Sequence, residues 1–322
     1  MGQKINSNIF RLGIKQNEWN SKYFEKSKEE ATLYNFNDLQ LKAYINKFLN
    51  TQGILLHNLK IKYTGKILFI FVSFFITKRT LFIINEINSL QKIKLKRKRK
   101  KRRKKKKRYS RKEWRRKKLY KKRTRLIKRY KNFLKMKTQG NYHKFLKNFF
   151  FEQIFESISL YTKNKYHIYL VCQNINTKDF MSFKRKEKRV FKRRLFSLRR
   201  YRKTQFFRES INILILISKL PNSSYLLANY IANQLSKTKK HVYYIIFLKR
   251  ALNLIIKSSF SKIKGIKIVV RGRLNKKPRS KKKLILIGRH PIQTLKSKIS
   301  YSEATSYTQN GTLGIKVWIC EK

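Results

Sequence analysis

Basic side chains are the residues whose number and spacing could do chemistry in this sequence, and that chemistry is ion pairing with phosphate. From Lys96 to Arg108 every residue is Lys or Arg, a run that includes Lys96, Arg97, Lys98, Arg99, Arg102, Arg103 and Arg108. Behind it come Arg111, Lys112, Arg115, Arg116, Lys117 and Lys118, with Trp114 and Tyr120 among them, and a further basic stretch spans Lys184 to Arg202. In 322 residues, 84 Lys and Arg face 14 Asp and Glu, a net charge of +70. Charge of one sign at that density repels itself in a compact state, so the partner is a polyanion. Nucleic acid fits best, because each phosphate neutralised releases condensed counterions whatever the sequence; an anionic membrane is the weaker alternative. A basic block also reads as a nuclear localisation signal or as a solvated tail. The length of this one suits RNA grooves better, with aromatics stacking on unpaired bases while cations hold phosphate.

Catalysis has little to work with. The histidines, His57, His143, His167, His241 and His290, are scattered, with no triad or metal-ligand spacing. Cys172 and Cys320 stand far apart without CxxC or Cys/His spacing, which argues against a disulfide framework and against zinc. No catalytic residue, metal or cofactor is expected, and the chain does not read as an enzyme. An organelle RNA-binding protein of the intron maturase type is the alternative from another class, but the acidic motifs it would need are not found. The longest apolar stretch, Ile67 to Ile76, falls short of the roughly 20 residues that cross a bilayer and is closed by Lys78 and Arg79. Met1-Gly2 opens like a myristoylation signal, yet Asn6 stands where Ser or Thr is needed. Neither a signal-peptide core nor a transit-peptide helix is visible at the start, so no cleaved leader and no membrane partner are expected.

Enough of the chain is hydrophobic, 41%, to build cores that position these cations. Leu39, Leu41, Tyr44, Ile45 and Phe48 recur at helical spacing within Asn35 to Leu49. Leu59 to Tyr63 and Ile67 to Phe75 read as strands joined by a tight turn at Thr64-Gly65-Lys66, and Leu81 to Leu90 reads as a helix or a third strand. Gln91 to Phe206 reads as a basic insertion lying outside the cores, although Phe133 to Tyr161 and Tyr166 to Val171 carry apolar residues enough to order locally. Ile211 to Ile217 reads as a strand. Pro221 to Ser224 then starts a helix with Leu226, Leu227, Tyr230, Ile231 and Leu235 on its stripe, and a second helix is expected over His241 to Ile256. Three strands follow in which apolar and basic residues alternate. Ile266, Ile268 and Val270 oppose Lys267 and Arg271; Leu295, Ile299 and Tyr301 oppose Lys296 and Lys298; Ile315, Val317 and Ile319 oppose Lys316 and Trp318. The result is a sheet with one buried and one basic face.

Two sets of residues carry a family resemblance. Met1 to Asn6, Phe10-Arg11-Leu12-Gly13-Ile14 and Trp19-Asn20-Ser21 are similar to the opening of small-subunit ribosomal protein number three. Gly265-Ile266-Lys267, Gly272-Arg273-Leu274, Gly288-Arg289, Pro291, Thr294-Leu295 and Gly314 to Ile319 resemble its C-terminal end. The resemblance covers residues 1–90 and 205–322. It implies an α+β chain: an N-terminal extension (1–34), a type II KH-like domain (35–90 with 207–236) interrupted by the Lys/Arg-rich insertion (91–206), and an α/β C-terminal domain (237–322). It further implies small-subunit rRNA, mRNA at the channel by which it enters the subunit, and neighbouring proteins of the subunit head as partners. The RNA-binding residues expected on this basis are Lys4, Arg11, Lys78, Arg79, the cations of the insertion from Lys96 to Arg116, Lys249, Arg250, Lys267, Arg271, Arg273, Arg289, Lys296, Lys298 and Lys316. The enlarged insertion resembles mitochondrial members, and the heavy use of Lys, Asn, Ile, Phe and Tyr is what A/T-rich codons of an organelle genome encode. Two positions depart from the family. Thr77-Lys78-Arg79-Thr80 stands where the KH loop has GxxG, so the backbone clamp that needs glycine is lost. Ile245 and Ile246 stand where bacterial members place an arginine pair, on what reads as a buried face.

Overall fold

The computed structural model describes residues 5–14, 19–25, 27–81, 151–176, 182–183, 185–276, 278–279 and 281–322. The segment expected as a helix or strand beyond Leu81, the basic run from Lys96 to Arg108, the cations from Arg111 to Arg129 and the stretch from Phe133 to Phe150 lie outside them. The chain divides into two units, Met1–Thr77 with Lys165–Lys322, and Lys78–Asn164. Of the second unit, the described parts are a helical turn at 78–81 and helix α2 (Glu152–Tyr161), which buries Ile154 and Ile158.

In the first unit, one sheet has the order β1 (Ser21–Lys22), β2 (Ile54–Thr64), β3 (Ile67–Ile76), β4 (His167–Asn174). β2 and β3 form the expected antiparallel hairpin, closing at Thr64 opposite Ile67. Gly65 turns it with φ 56°, a left-handed value that costs glycine nothing because it has no Cβ to clash. Helix α1 (Lys28–Thr51) packs on β2. Glu29 and Glu30 in its first turn suit the positive end of the helix dipole. Its buried line is Leu41, Ile45 and Leu49 with Asp38. Leu39 and Tyr44, expected on the stripe, face outward, because 3.6 residues per turn carries them off the line through 41, 45 and 49.

The expectation that 91–206 lies outside the cores fails for its C-terminal part. β4 runs parallel to β3, from His167 beside Ile67 to Asn174 beside Phe74. Asn176 extends the pairing: its side-chain oxygen accepts from Ile76 N–H at 2.8 Å and its amide donates to Ile76 O at 2.9 Å. Ile175, Phe191, Leu198, Tyr201 and Phe206 are buried in the main core. A parallel pair needs a long crossover, so the partner of β3 lies far away in sequence and β4 is not recognisable beside its neighbour.

Ile211 to Ile217, expected as a strand, forms the middle of a helix. After α3 (Arg185–Leu195), α4 (Phe207–Lys219) buries Ser210, Ile211 and every residue from Ile213 to Ser218. A helix apolar on nearly all sides has the same continuous apolar pattern as a buried strand. Helices α5 (Ser224–Lys237) and α6 (His241–Ile256) stand where expected, and the five stripe residues of α5 are all buried. The α6 N-terminus is closed from a distance, its His241 N–H donating to Asn275 Oδ1 at 2.8 Å.

The second sheet has the order β6-β5-β8-β7 and is antiparallel throughout. Its strands are β5 (Ile263–Gly272), β6 (Lys282–Gly288), β7 (Ile299–Thr308) and β8 (Gly311–Glu321). β6 is additional to the three expected, and β7 begins only at Ile299, leaving Leu295 exposed. Ile266, Ile268, Val270, Ile315, Val317 and Ile319 form the buried face as expected, whereas Ile299 and Tyr301, expected on that face, pair with Cys320 and Trp318 and so project to the other side, where both are nonetheless buried. α5 packs on β7 and β8, and α6 packs on β5 and β6. β5 and β6 approach so closely at Gly265 that a Cβ there would stand 2.0 Å from the Arg289 carbonyl oxygen.

Candidate nucleic-acid interface

Residues opposed across a ladder project to the same side, so strand register builds the outer face of the second sheet. One row holds Leu286, Lys267, Trp318 and Tyr301; the next holds Leu284, Val269, Lys316 and Glu303. The Lys267 ammonium lies over the Trp318 ring at 5.2 Å, and the Tyr301 and Trp318 ring centroids are 5.0 Å apart. Lys316 pairs with Glu303 at 3.1 Å. The Tyr301 hydroxyl donates to the same carboxylate, and this hydrogen bond, reinforced by Lys316, holds Glu303 below the usual carboxylate range. Arg271 is exposed one row further along. The expected basic face is therefore a mixed one, in which cations alternate with aromatic and aliphatic groups and one carboxylate neutralises part of the charge.

The other expected cations are dispersed. Arg273, Arg289 and Lys296 are exposed on loops flanking the strands, and Lys298 is half-buried against Glu321 at 2.9 Å. Lys249 and Arg250 are exposed on α6, which packs on the opposite side of the sheet from Lys267. Of the two isoleucines preceding them, only Ile245 is buried; Ile246 is 43% exposed, because consecutive residues on a helix point about 100° apart. Lys78 and Arg79 are exposed on the turn that begins the second unit. Lys4 and the cations from Lys96 to Arg116 lie outside the described residues.

Arg11 requires correction as an RNA contact. It is 2% exposed, and its guanidinium donates to Ser297 O at 3.0 Å, Ser7 O at 2.9 Å, Thr294 O at 3.0 Å and Ile292 O. Five fixed donors on a planar fork suit it to gather the carbonyls of an irregular loop. Nearby, Asn8 brackets the edge strand β7, accepting from Tyr301 N–H and donating to Tyr301 O, both at 2.8 Å. The N-terminal residues are thus a clamp on the C-terminal sheet. His290 beside them is held down to about 4 by burial, and then by Lys267 and Arg11.

A basic surface that sequence reading did not resolve lies on α3. Arg185, Lys186, Lys188, Arg189, Lys192 and Arg193 are exposed on it, while Phe191 is buried against Phe183 and Phe260 at centroid distances of 5.8 and 5.4 Å. The signal was present: Phe191, Leu195, Leu198 and Tyr201 recur every three or four residues inside the basic stretch. A cleft of about 620 Å³ near α1, α5 and the second sheet is lined by Asn46, Asn50, Asn229 and Asn233 with Arg271, Lys316 and Glu303. Both cysteines are free, and burial pushes the Cys172 thiol up to about 12. Among the described residues no group of three His, Cys, Asp or Glu is placed to hold a metal ion, and no helix is long and apolar enough to cross a membrane.

Comparison with known proteins bears on the part of the chain that carries this sheet. Residues 231–319 match the family described as ribosomal protein S3, C-terminal domain. These residues form a uS3-family C-terminal domain. The match begins within α5 and runs through α6 and the four strands. The small ribosomal subunit protein uS3c of Emiliania huxleyi is 40% identical over 109 residues, 34% of this chain and 47% of the relative. The uS3 of Fervidobacterium nodosum is 40% identical over 114 residues, 35% and 52% of the two chains. That of Aquifex pyrophilus is 48% identical over 56 residues, 17% and 24%. The chain spans about half or less of the length of these relatives. These relatives are, by name, proteins of the small ribosomal subunit.

Proposed function

We propose that this protein is a structural constituent of the small ribosomal subunit of mitochondria, encoded in the organelle. In this reading it holds rRNA in the subunit head beside the channel by which mRNA enters and contacts neighbouring head proteins. The observation that carries the proposal is the uS3 C-terminal domain at residues 231–319 in a chain with net charge +70. A KH-like N-terminal domain is supported by α1 followed by the β2–β3 hairpin, with β4 added parallel to β3. Thr77 and Thr80 stand where its glycines would be, so this domain meets RNA through Lys78, Arg79 and its sheet and not through a glycine clamp. The exposed cations of α3 and those of the insertion act on phosphate, positioning the protein without reading sequence. The mitochondrial assignment rests on the A/T-type amino-acid usage and the enlarged basic insertion, while the relatives named above are bacterial and plastid proteins.

Sedimentation of the native protein from fractionated organelles tests this reading. Cosedimentation with mitochondrial small subunits at elevated salt is the expected result. Cosedimentation with plastid subunits would move the compartment, and a free pool bound to intron RNA would overturn the ribosomal reading in favour of a maturase-type protein.

A further inference from the structure

The outer face of the first sheet carries a pattern that the C-terminal match does not touch. Register sets Lys22, Lys62, Phe69 and Tyr169 in one row across all four strands, and Lys60, Phe71 and Val171 in the row beside it. The solvent side of a half-covered sheet is ordinarily polar. Here Phe69 is 41%, Tyr169 53% and Val171 52% exposed. The Phe69 and Tyr169 rings stack on each other with centroids 5.1 Å apart and planes 18° from parallel. Exposed apolar patches rimmed by polar residues mark interaction sites, and the rim is informative: β2, β3 and β4 contain no Asp or Glu. Adjacent strands lie about 4.8 Å apart, so Lys62 and Lys22 stand one and two strands from the paired rings.

We propose that this face is a stacking platform for unpaired bases of RNA, with Phe69 and Tyr169 against the bases and Lys22, Lys60 and Lys62 toward the phosphates. Aromatic rings accept any base because every base has a π-face, and flanking cations track the backbone. An acidic protein segment would satisfy the lysines but leave the flat, paired rings without a matching group. The proposal takes its partner from the ribosomal reading and adds to it a surface and the strandedness of the RNA it takes.

The test uses the full chain with a single-stranded oligouridylate and an RNA duplex, over a series of salt concentrations. The double variant Phe69→Leu/Tyr169→Leu keeps apolar volume at two exposed positions and removes the π-faces. It is expected to bind the single strand about tenfold more weakly at every salt concentration, with duplex affinity unchanged. Lys62→Gln is expected instead to reduce the logarithmic salt slope for the single strand by about 0.7. A double variant with single-strand affinity equal to the parent's, or with equal losses on both probes, would overturn the platform while leaving the ribosomal reading intact. A parent chain that binds neither probe would defeat the ribosomal reading itself. Radical footprinting that finds Phe69 and Tyr169 protected without RNA would assign the face to a segment of this chain or a second copy. Small subunits that lose a neighbouring protein when they carry the double variant, with single-strand affinity unchanged, would make it a protein contact. Either of these results would also overturn the proposal.

Discussion

The two sheets solve the same problem from opposite ends of sequence separation. The C-terminal sheet is built from strands within residues 263–321, all antiparallel, and its inner face is closed by the two helices immediately before it. The N-terminal sheet is completed by a strand about a hundred positions away, β4 pairing parallel to β3 at Ile67 and His167. Local antiparallel pairing leaves its alternation in the sequence and needs little loop closure, whereas a remote parallel strand gains its partner only after a large loop has closed. The region matched by the uS3 family is the first kind; the region that interrupts the resemblance supplies the missing strand of the second.

The most severe way to break the comparison is deletion within the interrupting segment. Removing 167–206 takes away β4, α3 and the core side chains Ile175, Phe191, Leu198 and Tyr201, and is expected to abolish the cooperative thermal transition measured by circular dichroism. Removing 91–150 and closing the gap with a short linker is expected to keep that transition but to lower recovery of the protein in small subunits. If both deletions melt cooperatively, the N-terminal sheet does not depend on its remote strand.

Arg11→Ala sharpens the claim that the N-terminal residues belong to the C-terminal sheet. The substitution leaves carbonyls of the 292–297 loop without their donor and is expected to cost about 4 kcal/mol in urea unfolding; a loss below about 1 kcal/mol would show the loop to be self-supporting. Next in size is truncation of one isoleucine in each sheet. Ile268 is fully buried at the centre of the C-terminal sheet, and Ile268→Ala is expected to cost about 3 kcal/mol. Ile168 on β4 is half-buried, and Ile168→Ala is expected to cost about 1 kcal/mol.

Acid addresses both regions through buried histidines, among them His241 at the start of α6, whose pKa burial also lowers. Burial holds His57, in the N-terminal sheet, and His290, beside the C-terminal one, down to about 4 from the ordinary 6.5. The unfolded chain therefore binds these protons first. Their contribution to stability is full above pH 6.5 and is lost as pH falls toward about 4, on the order of 2 kcal/mol per histidine. His57→Gln and His290→Gln should each flatten the pH dependence of urea stability over that window, and unchanged profiles in both variants would mean that other groups control acid unfolding. The smallest effect is expected from Lys316→Gln, whose ion pair with Glu303 is exposed on both sides: within about 0.5 kcal/mol in the same assay.

The sequence by itself determined the sign and density of charge, hence a polyanionic partner, and the absence of spaced catalytic groups. It also determined those elements whose pattern is complete within one segment: the β2–β3 hairpin, helices α5 and α6, and the alternation of β5 and β8. Each is legible because the period of its apolar residues reports a face directly. The tertiary structure alone decided what covers a face. It made Ile211 to Ile217 a helix, since a segment buried on all sides has no period to read. It drew β4 out of the basic insertion, because only β3 supplies the partner that makes it a strand. It also turned Arg11 from an expected phosphate contact into an internal clamp: a guanidinium serves whichever acceptors surround it, and those carbonyls come from a loop nearly three hundred residues along the chain.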